Sequence, residues 1–286
     1  MFPILFTIGT VSLYSTSVTI VLAWLVFSFL FWRGLRAGGA TEDHIFDLTF
    51  YATIVAFIAA RAGYIVTHWD TFVGKSSLLM LALWVAPGLS WLSGLVGGLA
   101  TLVFLSRQQK IRLGHVLDTL PVALGFPIII GKLGSLLDGT EIGKQTALIW
   151  GVNLSGHAGL RHPVQLYEMI AMGVIGICML RIARRAVHQK WAYGIVGVWF
   201  TLLYSVVMFA LEFFKDSRVY WGNITANQWM LIGIFAESVG VLYVRGGGRE
   251  RIRPLFRSMH TKLGQIGKNI YEKLSRRSSS RDQKSS

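Results

Sequence analysis

The sequence predicts an all-α integral membrane protein with seven transmembrane helices. Three observations predict it. Of 286 residues, 53% are hydrophobic and only 15% are charged. The apolar residues gather in blocks close to the ~20 residues that cross a bilayer core. The basic residues lie in short connections between those blocks and in a tail, which is the pattern of membrane topology. The formal net charge of +14 therefore carries no nucleic-acid signal, and no nucleic-acid partner is expected.

The seven blocks run roughly 12–32, 46–66, 77–105, 113–137, 164–182, 193–214 and 226–244. The first is too long for the apolar core of a signal peptide, and no basic segment precedes it. Two blocks are interrupted: the third by "APGLS", with Pro87 and Gly88, and the fourth by Pro121, Pro127 and "GKLG". Irregular backbone at membrane depth survives only against protein or a water-filled cavity, so both breaks are expected to face inward. The lone cysteine, Cys178, falls inside an apolar block and reads as a buried thiol with neither a disulfide partner nor a cysteine metal site.

Lysine and arginine set the direction. Alternate connections hold Arg33 and Arg36, then Arg107, Lys110 and Arg112, then Arg181, Arg184, Arg185 and Lys190, then the tail. That side holds 21 of the 28 basic residues, against six on the other. The positive-inside rule then puts the N-terminus outside and the C-terminus in the cytoplasm. Two regions follow, a transmembrane domain over 1–244 and a basic cytoplasmic tail over 245–286. Within the tail, apolar residues from Ile252 to Leu274 recur at three- and four-residue steps. That spacing suits a helix lying on anionic lipid headgroups; a solvated basic tail is the alternative, and the last residues read as disordered.

A charge inside a span costs ~2.5–3.5 kcal/mol near the bilayer centre. Four such residues call for a reason: Arg61 in "AARAGYIV", Asp118 in "VLDTLP", Lys132 in "GKLGSLLDG" and Glu212 in "MFALEFFK". They read either as an outward-facing polar cavity or as structural ion pairs and snorkelling side chains. Arg61 and Glu212 both lie near an outer boundary and are expected to meet there.

The most polar of these boundaries is "RHPVQLYE", residues 161–168. Pro163 fits a first helical position, His162 the cap before it, and Gln165 the place from which a side chain reaches back to the cap. A helix start attracts anions, and Arg161 adds a guanidinium fork suited to phosphate. Gln165 and Glu168 share a face. The segment reads as an anion-holding corner, or simply as a well-capped helix start with an interfacial belt.

"RHPVQLYE" is also similar to a signature of the prolipoprotein diacylglyceryl transferases. The resemblance continues in order through "FTIGTVSLY", "ARAGYIV", "GLSWLSGLVGG", "GKLGSLLDGTEIG", "LEFFK" and "NQWM", over about 8 to 235. It implies an enzyme of the bacterial inner membrane with seven helices. Such an enzyme moves diacylglyceryl from phosphatidylglycerol to the signal-peptide cysteine of a lipoprotein precursor, releasing glycerol phosphate. Neither a metal nor an organic cofactor is implied. The resemblance assigns catalysis to Lys132, His162 and Glu212. It assigns phosphate or lipid contact to Arg61, Arg161, Gln165, Tyr167, Glu168, Gly94 and Gly134.

The chain departs from the family pattern at several of these places. Leu92 stands where the family has histidine, Lys132 and Lys215 where it has arginine, and Ser135 where it has asparagine. Met208 replaces another arginine and Thr16 a tyrosine. The family glutamate aligns with Thr140, although Glu141 is adjacent. Lysine supplies a point charge without the bidentate fork, and leucine and methionine supply neither base nor cation. The expectation is a divergent transferase; the alternative is a catalytically silent relative that binds phospholipid or a signal peptide. A transporter of duplicated halves is disfavoured because no internal repeat is evident.

Overall fold

In the computed structural model, the structure describes residues 4–245 apart from 9, 10, 75, 77, 84, 155 and 220. Helix dominates. A short antiparallel hairpin, β1 (Ile4–Ile8) and β2 (Val11–Tyr14), leads directly into α1 (Ser15–Ala37), followed by α2 (Glu42–Thr67). Two single turns, α3 (Trp69–Phe72) and α4 (Leu78–Leu81), precede α5 (Trp91–Gln108) and α6 (Leu113–Asp138). The strands β3 (Val152–Asn153) and β4 (Leu160–Arg161) pair in the long connection to α7 (Val164–His188). The chain then forms α8 (Ile195–Glu212) and α9 (Ala226–Tyr243). The predicted tail helix over 252–274 lies outside the described residues.

Five helices, α1, α2, α6, α7 and α8, are long and apolar enough to cross a membrane. Only 17–28% of their most apolar stretches is buried within the protein. Side chains such as Leu25, Phe57, Phe126 and Ile170 face outward, a distribution suited to lipid rather than water. At 18 residues each, α5 and α9 are more polar: Ser106, Arg107 and Gln108 end the first, and Asn227, Gln228 and Glu237 interrupt the second.

Packing divides the molecule into Met1–Phe235 and Ala236–Ser286, of which the second is described only through Arg245. In the first unit α1 lies on α6, α2 on α5, and α6 on α7, with α8 against both α6 and α7. One buried cluster joins Phe31, Leu35, Ile45, Leu48, Leu102 and Val116, from α1, α2, α5 and α6. A second joins Met172, Ile175, Met179, Val196, Met208 and Leu231, from α7, α8 and α9.

The two predicted interruptions fare differently. The third apolar block does break: α4 ends at Leu81, and the chain stays irregular until Ser90 caps α5 by accepting from Ser93 N–H. Gly88 adopts φ +151° there, and a Cβ on it would overlap the Tyr64 ring. The fourth block does not break, because α6 runs unbroken through both prolines. Pro121 has no N–H for the Leu117 carbonyl. Gly197 of α8 packs directly over that carbonyl, where a Cβ would come within 2.6 Å of it. Neighbouring helices of this kind make proline tolerable in a membrane segment.

Asp118 explains itself in the same region. Its Oδ2 accepts from Gly194 N–H at 2.7 Å and its Oδ1 from Gly197 N–H at 3.1 Å. It therefore caps the start of α8 from the neighbouring helix, satisfying donors that a helix N-terminus leaves open.

Candidate functional site

Three separated segments meet where α6 ends, α7 begins and α8 ends. Gly139 closes α6 in the left-handed conformation, φ +67°, which glycine adopts without strain. The chain beyond it pairs with the segment after α8: Lys144 N–H donates to the Phe214 carbonyl at 2.8 Å, and Asp216 N–H to the Ile142 carbonyl at 2.9 Å. His162 N–H donates to the Lys144 carbonyl at 3.0 Å. Residues 142–146, 160–162 and 214–216 thereby form one small backbone platform. Gly143 sits at its centre, where a Cβ would lie 2.1 Å from the His162 carbonyl oxygen.

This platform brings five charges together. Glu168, in the first turns of α7, meets Lys132 of α6 through Oε2 and Lys215 through Oε1, the latter at 2.6 Å. Glu141 makes the same two contacts, to Lys132 through Oε1 and to Lys215 through Oε2 at 3.3 Å. The four side chains close a ring in which each carboxylate bridges both ammoniums. Glu212 lies 3.8 Å from Lys215 and accepts from Thr225 Oγ1 at 3.1 Å and Asn227 Nδ2 at 3.2 Å. Glu168 and Glu212 are each 4% exposed, whereas Glu141 is 28% exposed.

Electrostatics follow from this closure. Burial alone favours neutral Lys215, yet Glu168, Glu141 and Glu212 together hold its pKa above the ordinary lysine value. Burial alone favours protonated Glu141, yet Lys132 and Lys215 hold its pKa below the ordinary carboxylate value. Both groups thus keep their charge despite partial desolvation.

The residues singled out by sequence fall into three groups. Lys132, Glu168 and Glu212 belong to the ring itself. Gln165 is 2% exposed and donates from Nε2 to the Glu141 carbonyl at 2.8 Å, with a longer 3.5 Å approach to the Ser135 carbonyl. It holds the loop rather than its own helix cap, because α7 begins at Val164 with Pro163 as the cap residue. The helix therefore starts one residue later than the sequence predicts.

His162, Tyr167 and Arg161 form the second place, beside the ring. Tyr167 Oη accepts from Trp150 Nε1 at 2.8 Å and lies 3.1 Å from His162 Nδ1. The Phe214 ring packs edge-on against both His162 and Tyr167. Arg161 donates from Nη1 to the Gly143 carbonyl at 3.0 Å and to Asp216 at 2.9 Å.

The remaining three, Arg61, Gly94 and Gly134, have other neighbours. Arg61 donates to the carbonyls of Met80, Ala86 and Gly88 at 2.7–3.0 Å and lies over Tyr64 and Phe72. Those carbonyls belong to the broken third block, so Arg61 holds irregular backbone together; the expected pairing with Glu212 is not what anchors it. Gly94 lets α5 approach Ala60 and Ala56 of α2, and Gly134 lets α6 approach Thr19 of α1. Both are close-packing positions. Of the substituted positions, Met208 is a core residue and Leu92 is exposed on α5. Thr16 bonds Asp138, tying the start of α1 to the end of α6.

Two ring members, Glu141 and Lys215, are not among the catalytic and lipid-contact residues assigned from the sequence. The sequence did hold a signal for each, since Lys215 follows Glu212 by three residues and Glu141 follows Thr140 directly.

The fold and this ring define a multi-pass membrane protein with paired cations at one end of its helix bundle, set among carboxylates. The chain belongs to the prolipoprotein diacylglyceryl transferase family, whose model matches residues 3–244. Among curated relatives, it is 27% identical over 237 residues to a phosphatidylglycerol–prolipoprotein diacylglyceryl transferase of Wolbachia pipientis, covering 80% of this chain and 89% of that one. The Geobacter sulfurreducens protein of the same name is 28% identical over 218 residues, 75% of this chain and 82% of the relative. That of Mannheimia succiniciproducens is 27% identical over 248 residues, 81% and 90% respectively.

Proposed function

We propose that the protein transfers diacylglyceryl from phosphatidylglycerol to the signal-peptide cysteine of a lipoprotein precursor in the bacterial inner membrane. It crosses that membrane seven times, with α5 and α9 as the two more polar spans, its N-terminus outside and the ring on the outer side. The distribution of lysine and arginine supports this orientation. The reading rests above all on one observation, two ammoniums bridged through separate carboxylate oxygens. That is the spacing required to hold two oxygens of a phosphodiester.

In this mechanism Lys132 and Lys215 bind the headgroup phosphate and stabilise the charge that develops on it. The cysteine thiol gives its proton to His162 Nε2, whose Nδ1–H is oriented by the Tyr167 hydroxyl. The thiolate sulfur attacks the diacylglyceryl methylene carbon. A carbon–sulfur bond forms, the carbon–oxygen bond to phosphate breaks, and glycerol phosphate leaves with the bonding pair. Glu212 keeps Lys215 charged and in place, Glu168 sets the distance between the lysines, and Arg161 shapes the loop that carries Gly143.

Lys132 and Lys215 do without the guanidinium fork by acting as a pair, so two point charges replace one bidentate group. Expression in cells depleted of their own transferase tests the proposal. Thioether-linked lipid on a reporter lipoprotein is the expected result, and a reporter that stays unmodified at normal expression contradicts it.

A further inference from the structure

The ring has two cations and three carboxylates, so its formal charge is −1. A phosphodiester entering unchanged would bring a second uncompensated negative charge into a partly desolvated site, which is strongly unfavourable. One carboxylate must therefore move away when phosphate arrives.

The three are not equally free to do so. Glu168 lies on α7 and is 4% exposed, contacting both lysines. Glu212 is equally buried and is held by Thr225 and Asn227. Glu141 is 28% exposed and lies on the loop beyond α6, and its Oε2 lies 3.3 Å from Lys215. Its backbone carbonyl is fixed by Gln165 at 2.8 Å, so the side chain can rotate outward while the loop stays in place.

The geometry points to Glu141 as the exchangeable occupant of the Lys132–Lys215 pair, its carboxylate standing where the headgroup phosphate of a phospholipid binds. This rests on the transfer reading above. Glu141 bridges the two lysines when the site is empty, then leaves as phosphate takes its two contacts. Gln165 is a positioning residue, because it confines the exchange to the side chain.

A competitor that occupies a site most of the time weakens apparent affinity by the fraction of time the site is free. Lipid binding to the detergent-purified full chain, wild type and Glu141→Gln, measures that fraction by native mass spectrometry. The probes are phosphatidylglycerol, diacylglycerol and inorganic phosphate. The expected result is on the order of tenfold tighter phosphatidylglycerol binding by the variant, with diacylglycerol unchanged. Glu141→Asp, which keeps the charge but is too short to bridge both lysines, is expected to fall between the two.

Unchanged or weaker phosphatidylglycerol binding by Glu141→Gln overturns the exchange. An equal gain for diacylglycerol also overturns it, since that lipid has no phosphate to compete. A gain for inorganic phosphate without one for phosphatidylglycerol overturns the headgroup as occupant. Diacylglyceryl transfer by the wild type is scored separately. A chain that transfers lipid without the affinity gain loses only the exchange, and a chain that shows the gain without transfer loses only the transferase reading.

Discussion

Replacing Glu168 by glutamine tests the ring as a structural unit. The side chain is 4% exposed and contacts both Lys132 and Lys215. Glutamine keeps the shape and one acceptor but removes the charge, leaving two lysines to share Glu141 and the more distant Glu212. Removing one partner of a buried ion pair costs about 3–5 kcal/mol. The isosteric change and the remaining carboxylates place this variant at the lower end, about 3 kcal/mol. For a chain of this size each kcal/mol shifts Tm by roughly 2–4 °C, so a fall of roughly 6–12 °C follows. Thermal unfolding of the detergent-purified protein reads it. Glu141→Gln serves as the comparison, because a partly exposed pair contributes about 1 kcal/mol or less. A Glu168→Gln variant that melts with the wild type, or above Glu141→Gln, refutes the ring as drawn.

Further predictions follow from other contacts. Asp118→Ala removes the acceptor for Gly194 and Gly197 N–H and should cost about 1–2 kcal/mol, read as a lower Tm; an unchanged Tm would dismiss the cap. Gly143→Ala puts a Cβ against the His162 carbonyl and should abolish transfer by separating the platform strands, measurable as loss of lipidated reporter. The pH dependence has a definite sign. Glu141 has a lowered pKa, so its stabilisation is present above the ordinary carboxylate value and lost as pH falls through the lowered one. Lys215 has a raised pKa, so its stabilisation is complete below the ordinary lysine value and lost only as pH rises past the raised one. The Tm difference between wild type and Glu141→Gln should stay level from about pH 6 to 9 and shrink below about pH 4.

Much of this fold is legible in sequence because a membrane imposes long apolar runs. The blocks at 46–66, 113–137 and 226–244 lie within four residues of α2, α6 and α9 at each end. The break around Pro87 and Gly88 is legible too, since both residues disrupt helix. The continuity of α6 through Pro121 is not, because it depends on Gly197 covering Leu117 from another helix. The small strands β1 to β4 carry no periodic signal long enough to read. They add minor sheet to a chain expected to be wholly helical.

The site divides along the same line. Glu168, Gln165 and Lys132 stand out as polar residues at membrane boundaries. The ring itself does not, because it closes only when the segment after α8 pairs with the loop after α6. That pairing brings Lys215 to Glu141 across a sequence separation of 74. Arg61 is legible only as a charge inside an apolar block; its bonds to the carbonyls of a broken helix nearby depend on how the chain folds back after α4.

The most direct measurement is transfer by the purified protein itself. Phosphatidylglycerol with a labelled diacylglyceryl group is mixed with a lipoprotein precursor, and the precursor cysteine is examined by mass spectrometry. The wild type should attach diacylglyceryl through a thioether and release glycerol phosphate, and Lys132→Ala with Lys215→Ala should bind little lipid and transfer none. A folded wild type that leaves the cysteine free, or a double variant that transfers at the wild-type rate, would contradict the account.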